Sequence, residues 1–295
     1  MLQKFCLLLI GIISGIGVSK AQLVKEFRTP EKEGFEMVQL DFSSYKSTTH
    51  LKRSRSSEPV QIHGHLDNVN ILPVFDHWIA DRILHAELSH KNIQSDNLGR
   101  SLTSKIFSTS KDDFGHSWDI GLGSNYLYHL NFNLGVGMAE IDLANLPVSQ
   151  LKVQSASADV LIHYSDREPN RILMDTLLVT LNMGTVDIRD ANFSNADKMI
   201  FEVNYGKINL NFSDGMASKC QVIAAVGAGS LYLKIPSENY PVRIKMKTTA
   251  MCRTSLPKYL RQIDSETYVT RGFSADDPKL MDLTIDVGVG SLKVE

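Results

Sequence analysis

The chain has 295 residues and a formal net charge of −2 at pH 7. Such a balance supplies no long-range attraction toward nucleic acid or anionic lipid, so we expect no nucleic-acid ligand. Hydrophobic residues make up 43% and charged residues 22% of the chain, which is typical of a globular protein that can bury a sizeable core. The length is compatible with one large domain or two ordinary ones.

Residues 1–21 have the pattern of a cleavable export signal. Lys4 provides a positive charge, and the apolar stretch Phe5–Val18 follows it. Ser19 and Ala21 place small side chains at the two positions that a signal peptidase recognises, which predicts cleavage after Ala21. The apolar stretch is shorter than the ~20 residues that a membrane-spanning helix needs. An uncleaved N-terminal anchor is the alternative.

The rest of the chain predicts an exported, soluble protein of the periplasm, the cell surface or the extracellular space. Cys6 lies inside the apolar stretch and not at its end, so we expect no lipid anchor on this cysteine. No later segment approaches the length of a membrane span, which predicts no integral membrane segment after signal removal. Residues 22–35 are expected to be a flexible segment. Residues 36–295 are expected to form a single β-repeat domain that is most regular from residue 118.

Cys220 and Cys252 are the cysteines that remain after signal removal. Two cysteines in an oxidising compartment can form a disulfide, and closing this loop would stabilise the fold by roughly 3–4 kcal/mol. The alternative is two separate buried thiols that pack as small hydrophobic side chains. Neither cysteine belongs to a C-x-x-C pattern, so redox catalysis and zinc binding have no support. We expect no cofactor.

Alternating apolar residues begin near residue 36 and predict strands through most of the chain. Only residues 76–89, DHWIADRILHAELS, have a spacing that also fits a helix, and their later part fits a strand equally well. From residue 134 a unit repeats: a corner of small residues, then a short alternating strand such as MAEIDL, TVDIRD or KINLNF. The first five corners recur every 21 to 26 residues, and the last follows a longer interruption. The corner glycines are Gly135, Gly137, Gly184, Gly206, Gly227, Gly229, Gly288 and Gly290.

These repeats predict an all-β, solenoid-like stack of short strands with glycine corners, similar to a β-helix. Glycine permits a left-handed backbone and the close approach of a neighbouring chain, so a strand can turn sharply at each corner. A strand with one buried face is not stable alone, and stacked coils share one core. The alternative is an antiparallel β-sandwich whose hairpin corners are rich in glycine.

The segment NLGVGMAEIDLANLPVSQLKVQSASADVLIHY resembles the repeat of toastrack-type domains, the C-terminal part of LiaF-like cell-wall-active antibiotic-response proteins. The closing segments YVTRGF and GVGSLKV resemble the end of the same domains, so that the resemblance covers residues 118–295. It implies a non-catalytic β-rich domain outside the cytoplasmic membrane, associated in some relatives with envelope-stress signalling. This chain has a cleavable signal in place of a multi-helix membrane anchor, and that difference argues against a membrane-coupled regulatory role.

No motif in the sequence indicates a catalytic centre. Each G-x-G pair runs into a strand without a third glycine or a helix, so a dinucleotide site is not expected. His63 and His65 share one face of a predicted strand, but no third metal ligand is fixed by spacing, and surface histidines are favoured. A G-x-S-x-G nucleophile elbow does not occur.

Three further groups have both a functional and a structural interpretation. The basic run Lys52–Arg55 can contact an anionic glycan, but an exposed loop is favoured. An aromatic set can form a carbohydrate-stacking strip, but cross-strand packing is favoured; its members are Tyr126, Tyr128, Phe132 and Tyr205. An acidic set alternates outward as solubilising residues do; its members are Glu140, Asp142, Asp159 and Asp187.

The sequence therefore predicts an exported, non-catalytic β-repeat module that mediates protein or cell-envelope contacts. The alternative is a glycan-binding or polysaccharide-cleaving solenoid, in which acidic and basic residues would project together from neighbouring coils. A third hypothesis is self-association through the ends of the stack, since exposed strand edges pair readily. The identity of the protein or envelope partner is not specified.

Overall fold

The computed structural model describes residues 23–31, 34–66, 71–92 and 116–295, and the predicted export signal lies outside these ranges. The described residues form sixteen strands and two short 3-10 helices (Ser165–Arg167 and Ala191–Ser194), and no α-helix occurs among them. The strands are β1 (Leu23–Arg28), β2 (Met37–Ser54), β3 (Val60–Leu66), β4 (Ile71–Ala80), β5 (Ile83–Asn92), β6 (His116–Gly123), β7 (Leu127–Asp142), β8 (Val148–His163), β9 (Met174–Ile188), β10 (Ala196–Asn211), β11 (Cys220–Lys234), β12 (Val242–Thr248), β13 (Cys252–Ser255), β14 (Arg261–Gln262), β15 (Thr267–Val269) and β16 (Met281–Val294). The prediction of an all-β fold is confirmed.

The sixteen described strands belong to one long mixed sheet. Its centre is a parallel run of β2, β7, β8, β9, β10, β11 and β16, in that order. The repeating strands thus pair in parallel with their successors, which excludes the hairpin-linked antiparallel sandwich for this part of the chain. Antiparallel pairs occur toward the two ends, where β1 pairs with β3 and β12 pairs with β15.

Each central strand changes its inward-facing positions partway along its length. In β11, Val222, Ala224 and Val226 are buried before the glycines, whereas Leu231 and Leu233 are buried after them. Side chains of a regular strand alternate between two faces, so positions an odd number of residues apart face opposite ways in a straight strand. The bend between the two arms restores the inward direction, and both arms contribute to the same hydrophobic cluster.

The bends of neighbouring strands lie at the same level of the sheet. The register pairs Gly137 with Ala158 and Ala158 with Gly184, and it continues through the later corners to Gly290. Five of these residues have a left-handed backbone: Gly137 (φ 150°), Gly184 (φ 125°), Gly206 (φ 146°), Gly229 (φ 145°) and Gly290 (φ 130°). The other predicted corner glycines, Gly135, Gly227 and Gly288, lie two residues earlier on their strands.

Near its N-terminal end the sheet divides into two layers, because the two arms of β2 have different partners. The first arm, residues 37–42, pairs with β5, and the second arm pairs with β6. β4 extends the first layer, while β3 and β1 extend the second. Aromatic rings connect the layers: Phe27 and Phe75 lie 5.5 Å apart, and His90 and Trp118 lie 5.7 Å apart.

The sequence does not fix the structure of two segments in the N-terminal part. Residues 76–89, whose spacing also fits a helix, form the hairpin of β4 and β5 with Asp81 (φ 50°) and Arg82 (φ 62°) in the turn. Two consecutive left-handed residues are typical of the type I′ turn, whose twist matches that of the paired strands. The segment 22–35 is expected to be flexible, but Leu23–Arg28 pair with β3 along their whole length.

At the C-terminal end, β12 pairs with the first arm of β16 and β13 pairs with the second arm. A single cluster of buried hydrophobic residues extends from Val38 to Val294, so the described strands share one core. Its largest fully buried side chains include Trp118, Tyr128, Phe42, Phe132 and Phe201. The burial of these hydrophobic side chains between the two arms of the central strands is the main source of stability.

Candidate binding groove

A shallow groove lies on the outward face of the first arms of β7 to β10, close to the bends. Its volume is about 330 Å³. The lining residues are Asn133, Leu134, Gln154, Ser155, Ala156, Thr180, Leu181, Asn182 and Asn204. We call these residues the amide groove, because four of the nine side chains are Asn or Gln.

The register of the sheet explains why the surface is depressed here. Asn133, Gln154 and Thr180 are paired neighbours on three successive strands, and they face outward. Two residues nearer to the bend, the outward positions are occupied by Gly135 and Ala156, whose side chains are the smallest available. The row of longer polar side chains therefore stands beside a second row that is low on β7 and β8 and carries amide side chains on β9 and β10.

The second row, that of Gly135 and Ala156, continues on β9 and β10 with a pair of amide side chains. Nδ2 of Asn204 donates a hydrogen bond to Oδ1 of Asn182 at 3.1 Å. The side chains of Asn133 and Gln154, by contrast, are exposed and make no hydrogen bond to another residue in the described part of the chain. The groove thus combines two amides that are hydrogen-bonded to each other with two amides that are available to a ligand.

The lining of the amide groove is neutral, and charges of both signs flank it. None of its lining side chains is ionisable. The register partner of Thr180 on β10 is the exposed Glu202, which places a carboxylate beside the groove. On the other side, Lys152 lies two residues before Gln154 on the same face of β8, so the two flanking charges oppose one another and the neutral lining itself offers an anion no cationic partner.

Sequence reasoning identified the corner glycines but missed the amides that precede two of them. The sequences N-M-G and N-Y-G put Asn182 and Asn204 at the same distance from their corner glycines, Gly184 and Gly206. That repeated N-x-G spacing is the signal that could have indicated an amide pair. The contribution of Asn133 depends on the register between β7 and β8, which a repeat pattern alone does not fix.

A second polar cluster lies on the outward face beyond the bends. The carboxylate of Glu140 lies 3.4 Å from Nδ1 of His50 and 3.1 Å from Nε2 of His163. Asp142, on the same strand, accepts hydrogen bonds from the backbone and the hydroxyl of Ser165. Within the described ranges, no group of three His, Cys, Asp or Glu residues is arranged to hold a metal ion.

The other histidines occupy boundary and surface positions. His63 and His65 lie on β3, and Nε2 of His63 is 4.0 Å from Oε1 of Glu26. His90 packs against the indole of Trp118. Burial, together with the neighbouring imidazole of His116, lowers the pKa of His90.

The aromatic residues do not form the exposed strip that would stack against a carbohydrate. Tyr128 and Phe132 are fully buried in the core, and the ring of Tyr126 stacks on Phe35 at 5.5 Å. Tyr205 alone of the four is largely exposed, at 62%. The stacking-strip interpretation is wrong, because alternation directs Tyr128 and Phe132 inward from β7.

The basic run Lys52–Arg55 occupies the end of β2 and the turn that follows it. Nη1 of Arg53 lies 3.7 Å from Oε2 of Glu168, and both side chains are more than 40% exposed. A pair this exposed contributes little to stability. The run is solvated, as favoured from the sequence, but residues 52–54 belong to β2 and only Arg55 lies in the turn.

Both cysteines of the described chain are free thiols. Cys220 is buried opposite Met281, and the partly exposed Cys252 is opposite Gly290, nine residues further along the same strand. The six residue steps from Met281 to Val287, before the bend, already span about 20 Å, whereas a disulfide needs Cα atoms within about 7 Å. The register thus keeps the two sulfur atoms apart, and the disulfide weighed from the sequence is not formed. Only Cys220 matches the alternative of buried thiols.

No family model matches the chain, and no curated protein matches it. Three solved structures are similar over nearly their whole length. A "putative cell adhesion protein" from Clostridium sporogenes is 13% identical, with 93% of this chain and 99% of that chain covered and a TM-score of 0.46. A "putative adhesin" from Bacteroides fragilis is 14% identical, with 94% and 98% covered and a TM-score of 0.39. A "putative adhesin" from Parabacteroides merdae is 11% identical, with 94% and 97% covered and a TM-score of 0.40.

These likenesses lie below a TM-score of 0.5 and below 15% identity, so no conclusion about function is drawn from them. Among the described residues, no helix has the length and the apolar character needed to cross a membrane.

Proposed function

We propose that this chain is an exported, non-catalytic β-repeat module that binds a protein or a cell-envelope component through the surface of its stacked strands. The observation that carries the proposal is the common register of the bends. Because β7 to β11 pair residue for residue on both sides of the corner, equivalent outward side chains form continuous rows across the sheet. Such rows give a long, regular surface of the kind that repeat proteins use for binding.

The same proposal includes the way in which the repeats are stacked. Each repeat supplies one bent strand whose two arms cover a shared core, which supports a solenoid-like stack of the toastrack type within residues 36–295. Export with cleavage after Ala21 would deliver this module to the periplasm or the cell surface. Contact between the ends of two stacks is the proposed route to self-association.

The polysaccharide-cleaving alternative is less favoured by the contacts of the acidic residues. Glycoside cleavage needs two carboxyl groups that face one another across a substrate. Glu140 lies between two imidazoles, and Asp142 accepts hydrogen bonds from its own connecting loop and from Ser165. Both carboxylates are thus occupied by the protein itself.

Export and binding can be tested on one preparation. The full-length chain is expressed in a bacterial host, and the exported product is purified and sequenced from its N-terminus. We expect the product to begin at Gln22, to cosediment with isolated cell envelopes in a saturable manner, and to leave a panel of polysaccharides uncleaved. An exported product that binds neither envelopes nor envelope proteins, or that cleaves a polysaccharide, would show the proposal to be wrong.

A further inference from the structure

We propose that the amide groove binds a short segment of an uncharged glycan. This inference rests on the proposed function, because it names the ligand class of one part of the binding surface. It goes further in that it assigns the contact to the residues on β7 to β10 and to hydrogen bonding by amides.

The chemistry of the lining matches sugar hydroxyl groups. An Asn or Gln side chain presents two donors and a carbonyl acceptor on one plane, and a sugar hydroxyl can both donate and accept. Asn133 and Gln154 have these groups exposed and unused by other described residues. A ligand with many hydroxyl groups can therefore bond to both amides without leaving a polar group unpaired.

The geometry suits an extended chain that crosses the strands. Asn133 and Gln154 are register partners on neighbouring strands, so their side chains repeat at the strand spacing of about 4.8 Å. Gly135 and Ala156 have little or no side chain, so the surface beside the two amides is depressed. A ligand can reach the amides from that side. The volume of about 330 Å³ is at the lower end of the range of ligand pockets, about 300–1,000 Å³.

The charge of the groove favours a neutral glycan over an acidic one. The lining has no positive side chain to pair with a carboxylate or a phosphate. The exposed Glu202 next to Thr180 would repel either group, and Lys152 on β8 offsets this repulsion only from outside the lining. A protein ligand is also disfavoured, because Leu134 and Leu181 are buried and the groove presents no large apolar anchor of the kind that dominates protein interfaces.

The test uses calorimetric titration of the exported protein with four neutral hexasaccharides as probes, cellohexaose, laminarihexaose, mannohexaose and xylohexaose, and with hexagalacturonate as the acidic comparison. We expect at least one neutral probe to bind and hexagalacturonate not to bind. In the double variant Asn133→Ala/Gln154→Ala, the affinity for that probe should fall about tenfold, because two hydrogen bonds are lost. Ala156→Trp, which fills the depression, should abolish binding.

A matched control is Gln221→Ala, which removes an exposed amide from the same face of the sheet on β11, outside the groove. Its affinity for the probe should equal that of the unchanged protein. The proposal is overturned if no neutral probe binds at millimolar concentration, if hexagalacturonate binds as tightly as the neutral probe, or if Ala156→Trp binds unchanged. Circular dichroism and thermal unfolding show that each variant is folded, so that a loss of binding is a property of the groove.

Parallel cosedimentation with cell envelopes separates this inference from the function on which it rests. If the unchanged protein binds envelopes but none of the neutral probes, the inference about the groove fails and the proposed function stands. If the protein binds no envelope preparation, the proposed function fails. Titration with the sugars then still decides whether the groove binds a glycan.

Discussion

A Cβ atom added to Gly206 would lie 1.9 Å from the carbonyl oxygen of Gly184, the residue that is paired with it on the neighbouring strand. The same relationship recurs one strand further on, where a Cβ on Gly229 would lie 1.8 Å from the oxygen of Gly206. At these corners neighbouring strands approach so closely that the backbone of one strand occupies the space that a side chain on the other strand would need. Glycine is thus required by the stacking of repeats as well as by the left-handed backbone.

We expect Gly206→Ala to destabilise the protein strongly, since it combines backbone strain with a clash against Gly184. Strain of this kind alone costs on the order of 1–3 kcal/mol. Gly34→Ala is the matched control, because Gly34 also has a left-handed backbone (φ 108°) but nothing lies within 4 Å of its Cβ position. Chemical denaturation should give a clearly larger loss of unfolding free energy for Gly206→Ala than for Gly34→Ala. Equal losses would contradict the role given to the neighbouring strand.

The corners could be recognised from the sequence because their requirement for small residues is local. The same reasoning leaves residues 76–89 open between a helix and a strand, because Arg82 stands where glycine usually follows Asp in a type I′ turn. It gives no sign of β1, whose pairing with β3 is a contact between distant parts of the chain. Non-local pairings of this kind leave only a weak trace in local periodicity.

The amide groove could not have been located from the sequence for a related reason. Its lining depends on Ala156 and Asn182 lying side by side on adjacent strands, with Asn204 continuing the same row. These neighbours are more than twenty residues apart in the chain, and a shift of one residue in the register would turn the amides toward the core. The parallel pairing had to be known before the polar row could be seen.

The two cysteines should differ in their reactivity toward an alkylating reagent. Burial, with a smaller contribution from the charge of Asp197, raises the pKa of the Cys220 thiol to about 12. At about pH 8 its reactive thiolate is scarce, and the folded protein also shields it. Cys252 is partly exposed on the four-residue strand β13.

Iodoacetamide should therefore modify Cys252 in the folded protein and Cys220 only after unfolding, as measured by peptide mass spectrometry. Modification of Cys220 at a comparable rate in the folded protein would contradict its burial. Detection of a peptide that links Cys220 to Cys252 without reductant would contradict the register of β11, β13 and β16.

Asp142 should make the stability of the fold dependent on pH in the acidic range. Burial alone would raise the pKa of its carboxyl group, but hydrogen bonds from Ser165 and from the backbone of Ala144 outweigh this effect and lower the pKa. A carboxyl group whose pKa is lower in the folded state stabilises the fold at neutral pH, and this contribution is lost as the pH falls through the folded-state pKa.

The variant Asp142→Asn should accordingly be less stable than the unchanged protein at neutral pH, by about 1 kcal/mol after allowance for solvent screening. The difference should shrink as the pH is lowered below about 4, because the unchanged carboxylate then becomes protonated. Asp187→Asn is the control, since Asp187 has only an ion pair with Arg189 at 3.8 Å. A difference between Asp142→Asn and the unchanged protein that stays constant down to acid pH would show that the charge of Asp142 is not the cause.

If the protein associates with itself through the ends of its sheet, β4 is the strand through which we expect it to do so. Among the described strands β4 pairs only with β5, which leaves the other edge of a ten-residue strand without a partner. Three large hydrophobic side chains of β4 are each at least 40% exposed: Leu72, Trp78 and Ile79.

The other edge strand at this end of the sheet is β1. It is six residues long and contains Lys25, Glu26 and Arg28. Charged side chains of this kind protect an edge from pairing.

Sedimentation velocity over a range of concentrations should therefore show association of the unchanged protein and its loss in Ile79→Lys, because a lysine on an edge strand opposes the approach of a second strand. Val289→Lys is the matched control, since Val289 is similarly exposed at 43% but lies at a bend on β16. It should leave the association unchanged. A single sedimenting species at every concentration would rule out self-association, and equal effects of the two lysines would locate the contact elsewhere than at β4.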